Sequence, residues 1–127
     1  CIAPGKRPLH TIIPALATKN GRSVMSFGVM GGQYQPVGQT HVLTNMLDYG
    51  CDVQEAIDMP RGLHYEGVYQ LEDSVPAEIV EGLRKLGHKT TSVVGPLGGA
   101  QAIWIDWDKG TLTGGSDPRK DGCALGY

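Results

Sequence analysis

The sequence predicts an α/β (α+β) layered sandwich in which helices pack on an antiparallel sheet. An Asn20-Gly21 pair divides two apolar, β-branched runs, and Asn-Gly supplies the positive φ angles of a two-residue hairpin turn. Apolar residues then recur at helical spacing through successive segments between positions 36 and 87. Strand-like runs return afterwards, two of them joined by the turn Asp108-Lys109-Gly110. No repeat or linker divides this order, so residues 1–127 read as a single domain.

Each element has its own warrant. Pro4, Gly5 and Pro8 make residues 1–10 a loop. Residues 11–18 form a strand that Pro14 assigns to an edge or a bend, and residues 23–29 return as its hairpin partner. The glycine-rich turn Gly28-x-x-Gly31-Gly32 follows. Val42, Leu43, Met46, Leu47 and Tyr49 mark a helix over 36–49 that Gly50 stops. Asp52 caps a short helix that runs through Met59 and ends at Pro60. Residues 61–72 are ambiguous, with a strand readable at 68–71. Ser74 begins an N-cap pattern for a helix carrying Ile79, Val80, Leu83 and Leu86, closed by Gly87. Residues 90–94, 101–107 and 111–113 read as strands, and the tail from Gly114 as turns.

Composition narrows the function. With 40% hydrophobic and 19% charged residues and a net charge of −2, the chain is an ordinary globular one. It has no Lys/Arg stripe for nucleic acid and no apolar run of about 20 residues for a membrane. Cys1, Cys51 and Cys123 have no paired or metal spacing, and His41, His64 and His88 lie far apart with no ligand spacing, so a metal site is not expected. Opening on Cys-Ile-Ala-Pro-Gly without an initiator Met, the chain reads as a piece of a longer one.

Four sets of residues bear on chemistry. The turn at Gly31-Gly32 lacks the Lys of a P-loop and the spacing of a dinucleotide fingerprint. It fits either a plain tight turn or a nest of N–H groups facing an anion, as in an oxyanion hole. Lys6-Arg7-Pro8-Leu9-His10-Thr11 fits either a carboxylate site or a solvated loop face. Neighbours on a strand point to opposite faces, which argues against His10 and Thr11 as a base–nucleophile pair. Cys1 as an N-terminal nucleophile is opposed by Pro4 and Gly5, which prevent a buried leading strand. Asp117-Pro118-Arg119 reads as a polar turn, and Glu55 and Asp58 as solvated acids.

Arg7-Pro8-Leu9, the hairpin, Gly28-x-x-Gly31-Gly32, "EAIDMPRGLH", "LRKLGH", "GGAQAI" and "GGSDPRKDGCALGY" occur in that order. Together they resemble the C-terminal part of the small subunit of the γ-glutamyltranspeptidase family. The resemblance implies a four-layer αββα N-terminal-nucleophile hydrolase. Its precursor cleaves itself, and the new N-terminal Thr attacks a γ-glutamyl amide such as glutathione, forming an acyl-enzyme that passes to water or an amine. It further implies that Gly31 and Gly32 supply oxyanion-hole N–H groups. His10 and Thr11 stand where the family usually has a Ser-Ser pair that holds the substrate α-carboxylate. The His10-Thr11 departure resembles the branch that includes cephalosporin-acylase-like enzymes acting on glutaryl amides, and the run Gln33-Tyr34-Gln35 also differs from the commoner Ser/Thr-containing run. The implied partners are the large subunit and the remainder of the small subunit. Alone, the chain is expected to be silent and to self-associate through uncovered apolar surface. A non-catalytic scaffold domain is the remaining alternative.

Overall fold

The computed structural model describes residues 1–127. A four-stranded antiparallel sheet carries the core. Its strands are β1 (Ala15–Lys19), β2 (Arg22–Met30), β6 (Gly99–Asp106) and β7 (Thr111–Ser116), in the order β1-β2-β6-β7. Two helices, α1 (Gln35–Leu47) and α2 (Val53–Asp58), cover one face. Beside them lies a smaller sheet of β3 (Gly62–Tyr65), β4 (Val68–Leu71) and β5 (Thr90–Ser92), with α3 (Ala77–Lys85) connecting β4 to β5.

The alternation of β2 explains the layering. Met25, Phe27 and Val29 are buried while Ser26 and Met30 are exposed. Across the sheet, Phe27 pairs with Ala102 and Val29 with Ala100, small residues that leave room for the helices. Val42 of α1 and Val53, Ala56 and Ile57 of α2 fill that room. The opposite face keeps Leu16, Ile103 and Leu112 at 60%, 46% and 69% exposure.

The Asn20-Gly21 turn has positive φ at both residues, as its chemistry requires. β1 begins at Ala15 rather than at Thr11. Residues 11–14 run unpaired beside α1 instead, where Gln35 and Gln39 donate side-chain hydrogen bonds to the carbonyls of Thr11 and Ile13. Asp52 caps α2 in a full capping box, accepting from the Glu55 N–H at 2.8 Å while the Glu55 carboxylate accepts from the Asp52 N–H at 2.8 Å. Glu55 is therefore a capping residue, not a merely solvated acid.

Three expectations change. The cap position of α3 is Pro76, without a side-chain hydrogen bond, because the turn Glu72–Val75 closes through backbone alone. The connection through α3 returns β5 parallel to β4, so the smaller sheet is mixed. β7 continues through Gly114 and Gly115 to Ser116, where a turn-rich tail was expected. Glycine serves close approach at that point. A Cβ on Gly115 would stand 2.7 Å from Val53 Cγ1 and 2.9 Å from Ile57 Cδ1, so its absence lets α2 seat on the sheet. Gly115→Ala is expected to overpack this contact and cost about 1–3 kcal/mol, read as a lower thermal midpoint.

Candidate active site

The glycine turn closes the end of β2. Gly31 has φ 130° and Gly32 φ 56°, and a 3-10 turn over Gly32–Tyr34 leads directly into α1, with Pro36 in its first turn. Pro36 is tolerated there because the first N–H groups of a helix have no partner inside it. No turn, loop or side-chain hydrogen bond takes the N–H of Gly31 or of Gly32. The N-terminal end of a 13-residue helix adds positive potential beside them.

These groups open into a depression of about 550 Å³ lined by Thr11, Met30, Gly31, Gly32, Gln35 and Gln101, among others. Gln35 ties its two sides together, donating from Nε2 to Thr11 O at 3.0 Å and to Gly32 O at 3.2 Å. Thr11, Gly31 and Gly32 thus share one site. His10 is exposed and does not line the depression. Lys6 donates to Cys1 O at 3.3 Å, so the basic loop does not converge on the site. Cys1 sits exposed in coil.

Behind the turn lies a buried ion network. Asp117 is fully buried and Arg61 is 1% exposed; they pair at 2.6 Å, and the same carboxylate oxygen accepts the Ala100 N–H at 2.7 Å. Glu72 accepts from Arg119 at 3.0 Å and from the Arg61 and Leu97 N–H groups at 3.1 and 3.0 Å. Arg119 also donates to the carbonyls of Ile57, Asp58 and Met59, closing the C-terminus of α2. The Asp117-Pro118-Arg119 turn therefore does more than turn the chain. Arg61 and Glu72 escaped the sequence reading, and nothing in the run 61–73, which also carries Glu66 and Asp73, sets these two charges apart.

Burial alone would raise the Asp117 pKa, but the Ala100 N–H, the Arg61 guanidinium and the Arg119 N–H hold it below the ordinary carboxylate value. A depressed folded-state value contributes stability above the unfolded pKa of about 4, and that contribution is lost as pH falls through the lower folded value. Denaturant midpoints followed from pH 7 downward should therefore fall in the acid range. Asp117→Asn should flatten that part of the profile.

Tyr34, 2% exposed, lies between the network and the turn, with the Arg61 guanidinium carbon 5.9 Å from its ring centre. Burial pushes its hydroxyl up to about 12, and the hydroxyl has no hydrogen-bond partner in the chain. A second depression of about 560 Å³ separates α1 from α3 and includes His41. Burial, then the nearby Arg61 charge, lowers the His41 pKa and keeps the ring neutral. Arg61, which also lines this depression, directs Nη1 to Leu97 O and Nη2 to Ile57 O and Asp117. No group of three or more His, Cys, Asp or Glu side chains is placed to hold a metal, and no helix is long and apolar enough to cross a membrane.

The fold is thus an antiparallel sheet under helices, with a positive-φ glycine turn at a strand end that opens into a depression. The gamma-glutamyltranspeptidase family model matches residues 1–127, and the chain belongs to that family. It is 40% identical to the glutathione hydrolase-like YwrD proenzyme of Bacillus subtilis, over 98% of this chain and 25% of that protein. It is 38% identical to the oxamate amidohydrolase proenzyme of Klebsiella pneumoniae, over 99% of this chain and 25% of that protein. Among solved structures, cephalosporin acylase from Bacillus halodurans superposes with a TM-score of 0.87 at 41% identity, covering 99% of this chain and 25% of that one. The chain thus spans about a quarter of the length of the curated relatives it matches.

Proposed function

We propose that residues 1–127 form the C-terminal part of the small subunit of an amide-cleaving acyltransferase and supply its oxyanion hole. The observation that carries this reading is the meeting, in one depression, of Thr11 with two positive-φ glycines whose N–H groups enter no turn, loop or side-chain hydrogen bond. A threonine outside this chain attacks the amide carbonyl, its own amine taking the proton, so no metal or organic cofactor is required. Gly31 and Gly32 stabilise the tetrahedral oxyanion, the amine departs with a proton, and the acyl-enzyme passes to water or an acceptor amine. Thr11 contacts the substrate carboxylate, and His10, its exposed neighbour in the chain, takes no part in lining the depression.

The large subunit and the rest of the small subunit are the partners in this reading. The exposed apolar residues Leu16, Ile103 and Leu112, all on one sheet face, are the surface they cover as the second half of the αββα sandwich.

The substrate is a γ-glutamyl amide such as glutathione. A second reading, a glutaryl amide, is favoured by the likeness to cephalosporin acylase and by His10 in place of the family's usual Ser. Turnover of a γ-glutamyl anilide and a glutaryl amide by the full-length protein separates the two. Turnover of the glutaryl amide alone overturns the first. Turnover of neither leaves a scaffold domain.

A further inference from the structure

The glycine turn does not hold its own shape. Glycine reaches φ 130° at Gly31 and φ 56° at Gly32 without steric cost but is not confined to them, and locally only the Tyr34 N–H to Gly31 O bond at 3.0 Å and Gln35 select this geometry. What presses on the turn from below is a strap, residues 97–99. A Cβ on Gly31 would stand 2.7 Å from Gly98 Cα and 3.2 Å from Gly98 N. A Cβ on Gly98, itself at φ 69°, would run into Met30 O and stand 2.7 Å from Tyr34 Cδ1. Two backbones therefore pack at a distance that only glycine on both sides permits.

The strap is held in turn by buried charge. Leu97 donates its N–H to Glu72 Oε1 at 3.0 Å and accepts from Arg61 Nη1 at 3.0 Å, so both of its backbone groups end on the network. Three residues further on, Ala100 N–H is held by Asp117 at 2.7 Å. Three ionised side chains, each at most 7% exposed, thus fix the segment on which Gly31 rests. A merely stabilising network has no need to converge on the two ends of one four-residue segment.

We propose that the strap Leu97–Gly98–Gly99, anchored by Arg61, Glu72 and Asp117, is the positioning device that sets the donor geometry of Gly31 and Gly32. This rests on the oxyanion-hole reading of those glycines. None of the strap or network residues need touch substrate. They act through the turn, and a misplacement of about 1 Å at such a donor costs on the order of 10²-fold in rate.

Gly98→Ala and Gly95→Ala, made in the full-length protein, test it. Gly95 lies in the same loop at φ 93° with open space around its Cβ position, so it carries the same backbone strain without reaching the turn. Gly98→Ala is expected to lower kcat on the order of 10²-fold with KM little changed, and to weaken a boronate analogue of the acyl group in parallel. Gly95→Ala should leave both unchanged. Equal effects from the two variants, or an unchanged kcat and boronate affinity for Gly98→Ala, overturn the positioning role. Gly31→Ala, run alongside, separates the two levels: if it also leaves kcat and boronate affinity intact, the oxyanion reading itself fails. Should Gly98→Ala not accumulate, Glu72→Gln takes its place. It keeps an acceptor for the Leu97 N–H while weakening the anchor, and an undiminished kcat there overturns the proposal.

Discussion

Arg61→Met in the full-length protein is expected to destabilise this region by about 3–5 kcal/mol, the usual result of removing one partner from a buried ion pair. The size follows from what is left behind. Asp117 is fully buried and would lose its 2.6 Å partner, the Leu97 carbonyl would lose its guanidinium donor, and the Ile57 carbonyl would keep only that of Arg119. The contrasting case is Arg84 and Glu81 on α3, paired at 2.5 Å but with side chains 53% and 57% exposed. Arg84→Met should cost no more than about 1 kcal/mol, because water screens and replaces that pair. Adding Asp117→Leu to Arg61→Met would recover only part of the loss. The Ala100 and Arg119 N–H groups, at 2.7 and 3.0 Å from the Asp117 carboxylate, would then be orphaned. Thermal midpoints of these variants give the check; an Arg61→Met shift no larger than that of Arg84→Met would remove the network from the stability of the fold.

Why the network was invisible in the sequence while the hairpin was plain comes down to range. Asn20-Gly21, the Asp52 cap and the stop at Gly50 are written within a few residues, since turn and cap chemistry is local. Arg61 meets Asp117 across 56 positions and Glu72 meets Leu97 across 25, and nothing in the neighbourhood of either residue announces its partner. The glycines divide the same way. Gly31 and Gly32 could be singled out as a turn, but the contact of Gly31 is with Gly98, 67 positions further on, at the entry to a strand that only the sheet brings near. Gly115 misled the reading of β7 because glycine as a turn former and glycine as a gap for a packed helix look alike in one dimension. Thr11 and the glycine turn come together through a long side chain, Gln35, and not through a strand pairing, and Thr11, expected in a strand over 11–18, lies outside β1.

Gly31→Ala in the full-length protein is expected to lower kcat on the order of 10²–10³-fold, the effect of losing one oxyanion donor. At φ 130° an alanine is strained, and its Cβ would meet Gly98 Cα at 2.7 Å, so the turn must move and its N–H must swing with it. The substrate carbonyl carries little charge before attack, so KM should change far less than kcat. Gly32→Ala supplies the comparison within the same turn. Its φ of 56° lies in the left-handed region that alanine reaches at about 1–2 kcal/mol, and its Cβ position is open, so the N–H can stay where it is. That variant should lose some stability but less than about tenfold in kcat. A general weakening of the fold would instead depress both variants in proportion to their thermal midpoints. Only a donor that must point at the reaction centre makes two adjacent glycines, substituted by the same residue, diverge in kcat while their KM values stay together.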